Sequence, residues 1–522
     1  MTDRLNRWTV WKADGNKILL ISKTGTRGMI PKGAYLTIED DDVKFILRVD
    51  DSRQSEPFEP SPLISDMNLE SLSADCKCKN IVTASRVKTI VSGDEDLVYY
   101  IRPLLEARRA TQEEIDDAMG ADINSKGPKV FVSTIFANEN KILRDEGGHM
   151  INIRIPEDFY YYQTVICGKT GSGKTVAMKY LAQNFVEEVG GAVLAINVKE
   201  KDLLKMDKPS VTSSSQVIKE WKELGGEAHG IEQFSVFYPK SNSGDRRYRD
   251  LEAVSTPISL RVSDMEPEAL MGIVKNLSDR AAQALPDIFR AWKNDLRRSK
   301  SKIDFKSFLD YMNDGEEDRK YDTMDSVGTK STITLFPGTL TNMLNALRSA
   351  SKYFDEDGYM LEADDIMVEG KMSVIDVVAD VDFGSLCLRD ILSKIVRYKN
   401  DVGSKSVPLL IIIDEVHQFY KGDDSKEALG DLALICRTGR AMKMGVIFAS
   451  QNPSDMPSGI SSVVNSKIYF RTDVQGIRDI GSKITADEME GLGIGFGVAS
   501  IFGTPKLKVL KFPLSYAGDG CD

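Results

Sequence analysis

The stretch Val165-Ile-Cys-Gly-Lys-Thr-Gly-Ser-Gly-Lys-Thr175 constrains this chain more than any other. Gly168, Gly173, Lys174 and Thr175 fill every fixed place of the pattern G-x-x-x-x-G-K-[ST]. A loop rich in Gly, Lys and Ser matches such a pattern by chance now and then, so the context decides. Thr164–Cys167 reads as a short buried strand, and Val176–Phe185 reads as a helix with an apolar face. A strand, a glycine-rich turn and a helix N-terminus aim backbone N–H groups at an anion, and the helix dipole favours negative charge there. Gly168, Lys169, Thr170, Gly171, Ser172 and Gly173 would cradle the phosphates of ATP. Lys174 would reach the β- and γ-phosphates, and the Thr175 hydroxyl would hold Mg²⁺.

A second block carries acids. Val407-Pro-Leu-Leu-Ile-Ile-Ile-Asp-Glu-Val-His417 contains an aliphatic run that predicts a strand buried on both faces. Asp414 at its C-terminal end is placed to order Mg²⁺ through water, and Glu415 to polarise an attacking water as general base. An acidic cap on a buried strand is the plainer alternative, and the phosphate loop upstream argues against it. His417 is expected to pack or hydrogen-bond locally. In the third block, Gly445-Val-Ile-Phe-Ala-Ser-Gln451 predicts a strand with Gln451 at its tip, where an amide can sense a γ-phosphate and couple hydrolysis to movement. Arg437 and Arg440 precede that strand. Either would stabilise transferring phosphoryl charge if supplied across a subunit boundary, and Arg440 is preferred; surface salt bridges are the other use of such arginines.

Buried strands alternate with helices around these blocks. Ala192–Val198 and Met372–Val378 are further strands, and Thr339–Lys352 and Ser385–Lys399 are helices. That alternation predicts a mostly parallel sheet covered on both faces. Asn197 falls at a strand end, where it either touches the Mg²⁺ shell or the attacking water, or is a polar strand terminus. Upstream, Lys17–Ser22, Tyr35–Glu39 and Val43–Val49 are short strand-like runs separated by Gly-containing turns, a spacing that suggests a small barrel. Arg102–Met119 reads as helix, with Thr111 and Glu114 placed for a capping box. Residues 205–330 read as a largely helical insert. It holds two basic clusters, Arg246-Arg-Tyr-Arg249 and Arg290–Lys300, which suit nucleic-acid backbone contact, a solvated helix face or a subunit contact.

The formal charge of −11 argues against an overall basic surface but permits a locally basic channel. Six scattered cysteines do not make a disulfide framework, and Cys76-Lys-Cys78 lacks a second pair to complete a zinc site. No run approaches a membrane span, and the start is not a signal peptide, so a soluble cytoplasmic protein with no membrane contact is expected.

Taken together, the order and spacing of the three blocks resemble the HerA branch of the HerA–FtsK P-loop ATPases. IIIDEVHQF is similar to that family's acid strand, and RTGRAMKMGVIFASQNP to its arginine-bearing loop and glutamine strand. Gly33–Glu39, Asp42–Lys44 and Pro62–Asn68 resemble its small N-terminal HAS barrel. The resemblance implies an α/β RecA-like P-loop NTPase core with a helical insert and a HAS-like barrel. The implied layout is a barrel at 1–100, a helical linker at 101–128, core at 129–204, insert at 205–330, and core with C-terminal strands at 331–522. It implies a homo-hexamer that uses ATP and Mg²⁺ to pump double-stranded DNA through a central pore beside a nuclease subunit, NurA-like or another effector nuclease, in DNA repair or antiviral defence. By position, Lys174, Thr175, Asp414, Glu415, Gln451 and Arg440 carry the family's roles. The chain departs from the pattern at Tyr162, where some archaeal relatives have arginine, and at Asn197, where aspartate is frequent. Lys421–Lys426 and Lys199–Lys201 are the pore-loop candidates. A conjugation- or packaging-type coupling ATPase and a nucleotide-dependent regulator of an effector nuclease complex are the competing readings.

Overall fold

In the computed structural model the residues described are 7–23, 28–55, 79–91, 97–119, 125–136, 139–199, 203–251, 254–272, 279–315, 317–378, 380–419, 432, 435, 439–456, 463–473, 484–504 and 508–518. The N-terminal strands are β1 (Trp8–Asp14), β2 (Lys17–Ser22), β3 (Tyr35–Asp40), β4 (Val43–Ser55), β5 (Lys79–Val91) and β6 (Glu106–Arg109). They close into an antiparallel barrel in the order β1-β2-β5-β4-β3-β6. Alternate residues fill its interior, as a period of two requires: Trp8 and Val10, Ile18 and Leu20, Leu36 and Ile38, Phe45, Leu47 and Val49. The Trp8 indole is satisfied inside, donating to Asn80 Oδ1 at 3.0 Å. The expected helix from Arg102 is therefore corrected: Glu106–Arg109 is a strand, pairing with β1 and β3 to close the barrel. Only Gln112–Met119 (α1) is helical in that stretch, so the barrel continues past residue 100 and the linker is not wholly helical. The helix starts where the capping box puts it. Glu114 N donates to Thr111 Oγ1 and Thr111 N to Glu114 Oε2, at 3.3 and 3.0 Å.

The remaining large sheet is built from β7 (Lys129–Phe136), β8 (Glu139–Ile142), β9 (Asn152–Arg154), β10 (Gln163–Cys167), β11 (Ala192–Asn197), β12 (Gln233–Pro239), β13 (Ser255–Ile258), β16 (Lys371–Asp376), β17 (Leu409–Ile413), β18 (Met444–Ser450), β19 (Ser466–Tyr469), β20 (Phe496–Ser500) and β21 (Lys508–Lys511); a separate hairpin pairs β14 (Lys320–Met324) with β15 (Lys330–Thr334). The order is β13-β12-β16-β11-β17-β18-β10-β19-β20-β21-β7-β8, with β9 beside β7. Pairing is parallel from β13 to β19 and antiparallel beyond. Every residue of β10, β11, β17 and β18 is buried. Leu409, Ile411 and Ile413 pack into one core and Leu410 and Ile412 into another, so the sheet is covered on both faces. One face carries Phe289 and Phe308 of helices Asp279–Ser299 (α4) and Phe305–Asp314 (α5), Leu347 of Pro337–Ala350 (α6) and Ile391 of Val381–Val402 (α7). The other carries Met178 and Leu181 of Lys174–Asn184 (α2).

The expected helical insert also needs correction. Helix Ser215–Leu224 (α3), α4 and α5 lie within 205–330, but so do β12 and β13, which extend the parallel sheet beyond β16. The run Phe234-Ser-Val-Phe-Tyr238 is rich in aromatic and β-branched residues and suits a buried strand better than a helix. The barrel joins the antiparallel end of the sheet. Lys32 bridges to Ile135 and its ammonium pairs with Glu488 at 2.8 Å, while the Gln112 amide serves both backbone groups of Asn152.

Beneath the barrel, Glu114 accepts from Arg108 at 2.6 Å and from Thr37 Oγ1 at 2.8 Å. Burial pushes its carboxyl up, but Arg108, the Thr111 N–H and the Thr37 hydroxyl outweigh that and hold it at about 2. Since the folded value lies below the unfolded one, this stabilisation is present above about pH 4 and is lost as pH falls towards about 2. Glu114→Gln is expected to cost about 2 kcal/mol at neutral pH and to flatten the acid limb of melting temperature against pH. An acid limb superposing on that of the wild type would show that Glu114 does not carry it.

Candidate active site

The parallel strands end on one edge, and four of them deliver polar groups there. β10 runs into the glycine loop, which is tied between its neighbours. Gly168 N donates to Ser450 O of β18 at 3.2 Å, and Lys169 N to Arg471 O just past β19 at 2.8 Å. Gly173 caps α2 with φ of +99°. A Cβ there would lie 2.5 Å from Gly495 N, because the turn before β20 is pressed against the loop and Gly495 N donates to Ser172 O at 3.0 Å. Glycine is needed on both counts. Lys174 starts α2 and is 5% exposed.

β17 ends at Ile413 and presents Asp414 and Glu415. Each is 2% exposed. Glu415 adopts the left-handed conformation, with φ of +46°, uncommon for a residue with a side chain. Its N–H donates to Asp414 Oδ1 at 2.9 Å. Lys174 Nζ lies 3.2 Å from Glu415 Oε1 and 3.6 Å from Asp414 Oδ1. Gln451, one residue past β18, donates to Glu415 Oε1 at 3.1 Å. Lys199, just past β11, places Nζ 3.0 Å from Asp414 Oδ2 and 3.1 Å from Glu415 Oε1. Burial pushes the Glu415 carboxyl up, but the Lys174 and Lys199 charges and the Gln451 amide prevail and hold it below the usual range. The same acids raise the Lys199 ammonium against the effect of its burial. Glu415 Oε2 is buried with no hydrogen-bond partner; the nearest ring nitrogen, His417 Nδ1, is 3.7 Å away, too far to bond. One oxygen of Glu415 is thus held by donors, while the other is buried without a hydrogen-bond partner.

The sequence-predicted residues Lys174, Asp414, Glu415 and Gln451 therefore meet at one place. Thr175 lies in the first turn of α2. Its hydroxyl and the Asp414 carboxylate are hard oxygen donors, which suits Mg²⁺; among the described residues no cluster of His, Cys, Asp and Glu suggests another metal. Arg440 lies elsewhere. It precedes β18, whereas Gly168 bonds to that strand's far end, and seven residues of strand separate the two, about 20 Å. Its guanidinium is 65% exposed, 3.4 Å from Asp158 and 5.2 Å above the Tyr162 ring. Tyr162, the departure from the family pattern, thus faces that arginine and not the glycine loop. Arg437, Cys76, Cys78, Lys201 and Lys421–Lys426 lie outside the described residues.

Several expectations change. Lys199, at the start of the pore-loop candidate Lys199–Lys201, pairs with the two acids. Asn197 bonds to neither acid; its amide donates to Asp376 Oδ1 at 2.9 Å and to Lys199 O at 2.6 Å. Asp376 ends β16, is fully buried, and also accepts from Tyr248 OH at 2.9 Å and Arg247 Nη1 at 3.2 Å. Burial raises its carboxyl despite Asn197, Tyr248 and Arg247. Sequence reasoning passed over Asp376, although an acid at the tip of a buried strand was the signal that singled out Asp414. The centre of the first basic cluster is thereby structural, and only Arg246 and Arg249 are exposed. In the second, Arg290 pairs with Glu268 and Asp287, and Trp292 and Lys293 are buried; the exposed cations are Arg297, Arg298 and Lys300.

With that geometry in view, the sequence profile of the HerA-like C-terminal helicase family matches residues 141–472. The DNA double-strand break repair helicase HerA of Pyrococcus furiosus is 30% identical over 111 residues, 20% of this chain and 19% of that protein. The protein of the same name from Sulfurisphaera tokodaii is 28% identical over 166 residues, 28% of this chain and 33% of that one. The matched part thus spans a third or less of these curated relatives. Among solved structures, VirB4 of Thermoanaerobacter pseudethanolicus is 13% identical with a TM-score of 0.45, covering 75% of this chain and 97% of that one. The plasmid coupling protein TrwB in complex with ADP and Mg²⁺ is 12% identical with a TM-score of 0.48, covering 76% and 96%.

Gly173→Ala is expected to lower stability by about 1–3 kcal/mol, through strain at positive φ and the clash with Gly495, and to abolish binding of an ATP analogue. Gly171 also has positive φ, +76°, but open space around it. Gly171→Ala should therefore melt closer to the wild type. Equal melting temperatures for the two variants would show that the turn at Gly495 does not constrain the loop.

Proposed function

As the chain belongs to the HerA-like C-terminal helicase family, we propose that it is an ATP hydrolase that works as a DNA translocase. In this reading a homo-hexamer moves double-stranded DNA through a central pore for a nuclease subunit. The observation that carries the hydrolase part is the convergence of Lys174, Asp414 and Gln451 on Glu415, whose second oxygen is left without a hydrogen-bond partner. Lys174 leaves Glu415 for the β- and γ-phosphates, and the loop N–H groups hold the rest of the polyphosphate. Thr175 and Asp414 would hold Mg²⁺, which neutralises charge on the phosphates. Glu415 Oε2 accepts the proton of the attacking water, and Gln451 keeps Oε1 oriented. Arg440, exposed at the opposite edge, is outside its own site and serves that of a neighbouring subunit. Among the described residues no arginine is placed against the acid pair of its own chain, which is consistent with one arriving from a neighbour. Arg297, Arg298 and Lys300 are the exposed cations of the insert for phosphate contact. Among the described residues no helix is long and apolar enough to cross a membrane.

ATP turnover with and without linear double-stranded DNA, run beside a native mass measurement, tests this reading. Stimulation by DNA and a hexamer mass are expected; a monomer whose turnover ignores DNA would overturn the translocase part and favour a nucleotide-dependent regulator of an effector nuclease. Lys174→Ala should abolish turnover. Glu415→Gln should keep nucleotide binding while lowering hydrolysis by a factor of about 10² or more; lost binding instead would make Glu415 structural.

Arg440→Ala should itself be inactive yet regain turnover when mixed with Lys174→Ala, since mixed rings contain some interfaces with both residues intact. Absence of recovery across mixing ratios, with subunit exchange verified by mass, would place Arg440 outside the shared site.

A further inference from the structure

Lys199 has no part in the chemistry described so far, yet it makes the shortest ion pair to the acids. Its ammonium touches both, at 3.0 Å from Asp414 Oδ2 and 3.1 Å from Glu415 Oε1, while Lys174 stands at 3.6 and 3.2 Å. Buried carboxylates demand compensating charge. Lys174 balances one of the pair, and Lys199 supplies the second positive charge. When Mg²⁺ and nucleotide bind, that balance changes. Lys174 is drawn to the phosphates, and a dication brings two positive charges to an acid that Lys199 already covers.

We propose that Lys199 is a positioning residue, a built-in counter-ion that stands in for the divalent cation at Asp414 and Glu415 until nucleotide binds and is then displaced. This rests on the ATPase reading above. The geometry provides for the exchange. The side chain of Lys199 is 33% exposed, against 3% and 2% for its two partners, so solvent lies on its side of the pair. Its carbonyl is held by Asn197 Nδ2 at 2.6 Å, and that amide is anchored on Asp376. The ammonium can therefore swing out while the backbone stays tied. The lysine keeps the acids paired and oriented before metal arrives, and it blocks Asp414 Oδ2 from binding metal without nucleotide.

The test is the response of melting temperature to Mg²⁺ alone, in the full chain without nucleotide, with NaCl of matched ionic strength as control. The wild type should barely respond. Lys199→Met should melt lower by about 5 °C, and Mg²⁺, but not NaCl, should restore most of the loss. Lys199→Arg, which keeps the charge, should behave as the wild type. If Lys199→Met is too unstable to purify, the double variant Lys199→Met with Asp414→Asn removes one acid with the lysine; it should fold and show no Mg²⁺ response. Equal Mg²⁺ responses in wild type and Lys199→Met, or a Mg²⁺ response surviving in the double variant, would overturn the proposal. Binding of a Mg-ATP analogue by the wild type is measured alongside. Its absence would overturn the ATPase reading itself, whereas its presence with equal Mg²⁺ responses would leave that reading standing and remove only the role of Lys199.

Discussion

Parallel strands must all end on the same edge of their sheet, and this molecule's chemistry depends on that rule. β10, β11, β17 and β18 are mutual neighbours in one parallel run. Their C-terminal ends therefore bring together the glycine loop, Lys199, the Asp414–Glu415 pair and Gln451, from positions spread over nearly three hundred residues. Full burial of the four strands makes the edge a low-dielectric place. Two carboxylates there would be costly alone. They are tolerated because two ammoniums and an amide arrive with them on the neighbouring strand ends. Topology thus supplies the partners that the electrostatics require.

The same strand polarity sends Arg440 the other way. β18 acts as a ruler between the arginine loop at its start and the glutamine at its end. That start is held firmly: a Cβ on Gly445 would lie 1.8 Å from Tyr160 O, so the strand runs hard against the turn at Glu157–Tyr161. The Arg440 guanidinium lies over the Tyr162 ring at that exposed rim. A residue so placed is remote from the acids of its own chain's site, and within the chain it meets Asp158 and Tyr162.

The barrel attaches at the antiparallel end of the sheet, away from the acids but not from the phosphate loop. Lys32 and Gln112 tie it to Glu488 and β9, while the turn before β20 presses Gly495 onto Ser172 and Gly173. These contacts make a contiguous path from the barrel side to the loop that would grip ATP. The path relies on glycines at 173 and 495 because backbone meets backbone there.

The sequence by itself determined what local physics determines. The aliphatic run before Asp414 marked a strand buried on both faces, the glycine pattern between a strand and a helix marked a loop of the kind that cradles an anion, and the Thr111–Glu114 spacing set a helix start. Short strand-like runs spaced by Gly-containing turns likewise announced three of the barrel strands. Tertiary structure decided where the charged residues went. Glu106–Arg109 has no apolar alternation and becomes a strand only because β1 and β3 need a closing partner. Arg247 and Tyr248 looked like a surface cluster, yet they satisfy Asp376, more than a hundred residues away, because β12 and β16 are neighbours. Lys199 gave no sequence signal of an ion pair, yet it meets the buried acids. A charged side chain follows whichever opposite charge the fold buries within its reach, and that is a property of strand order, which no local pattern records.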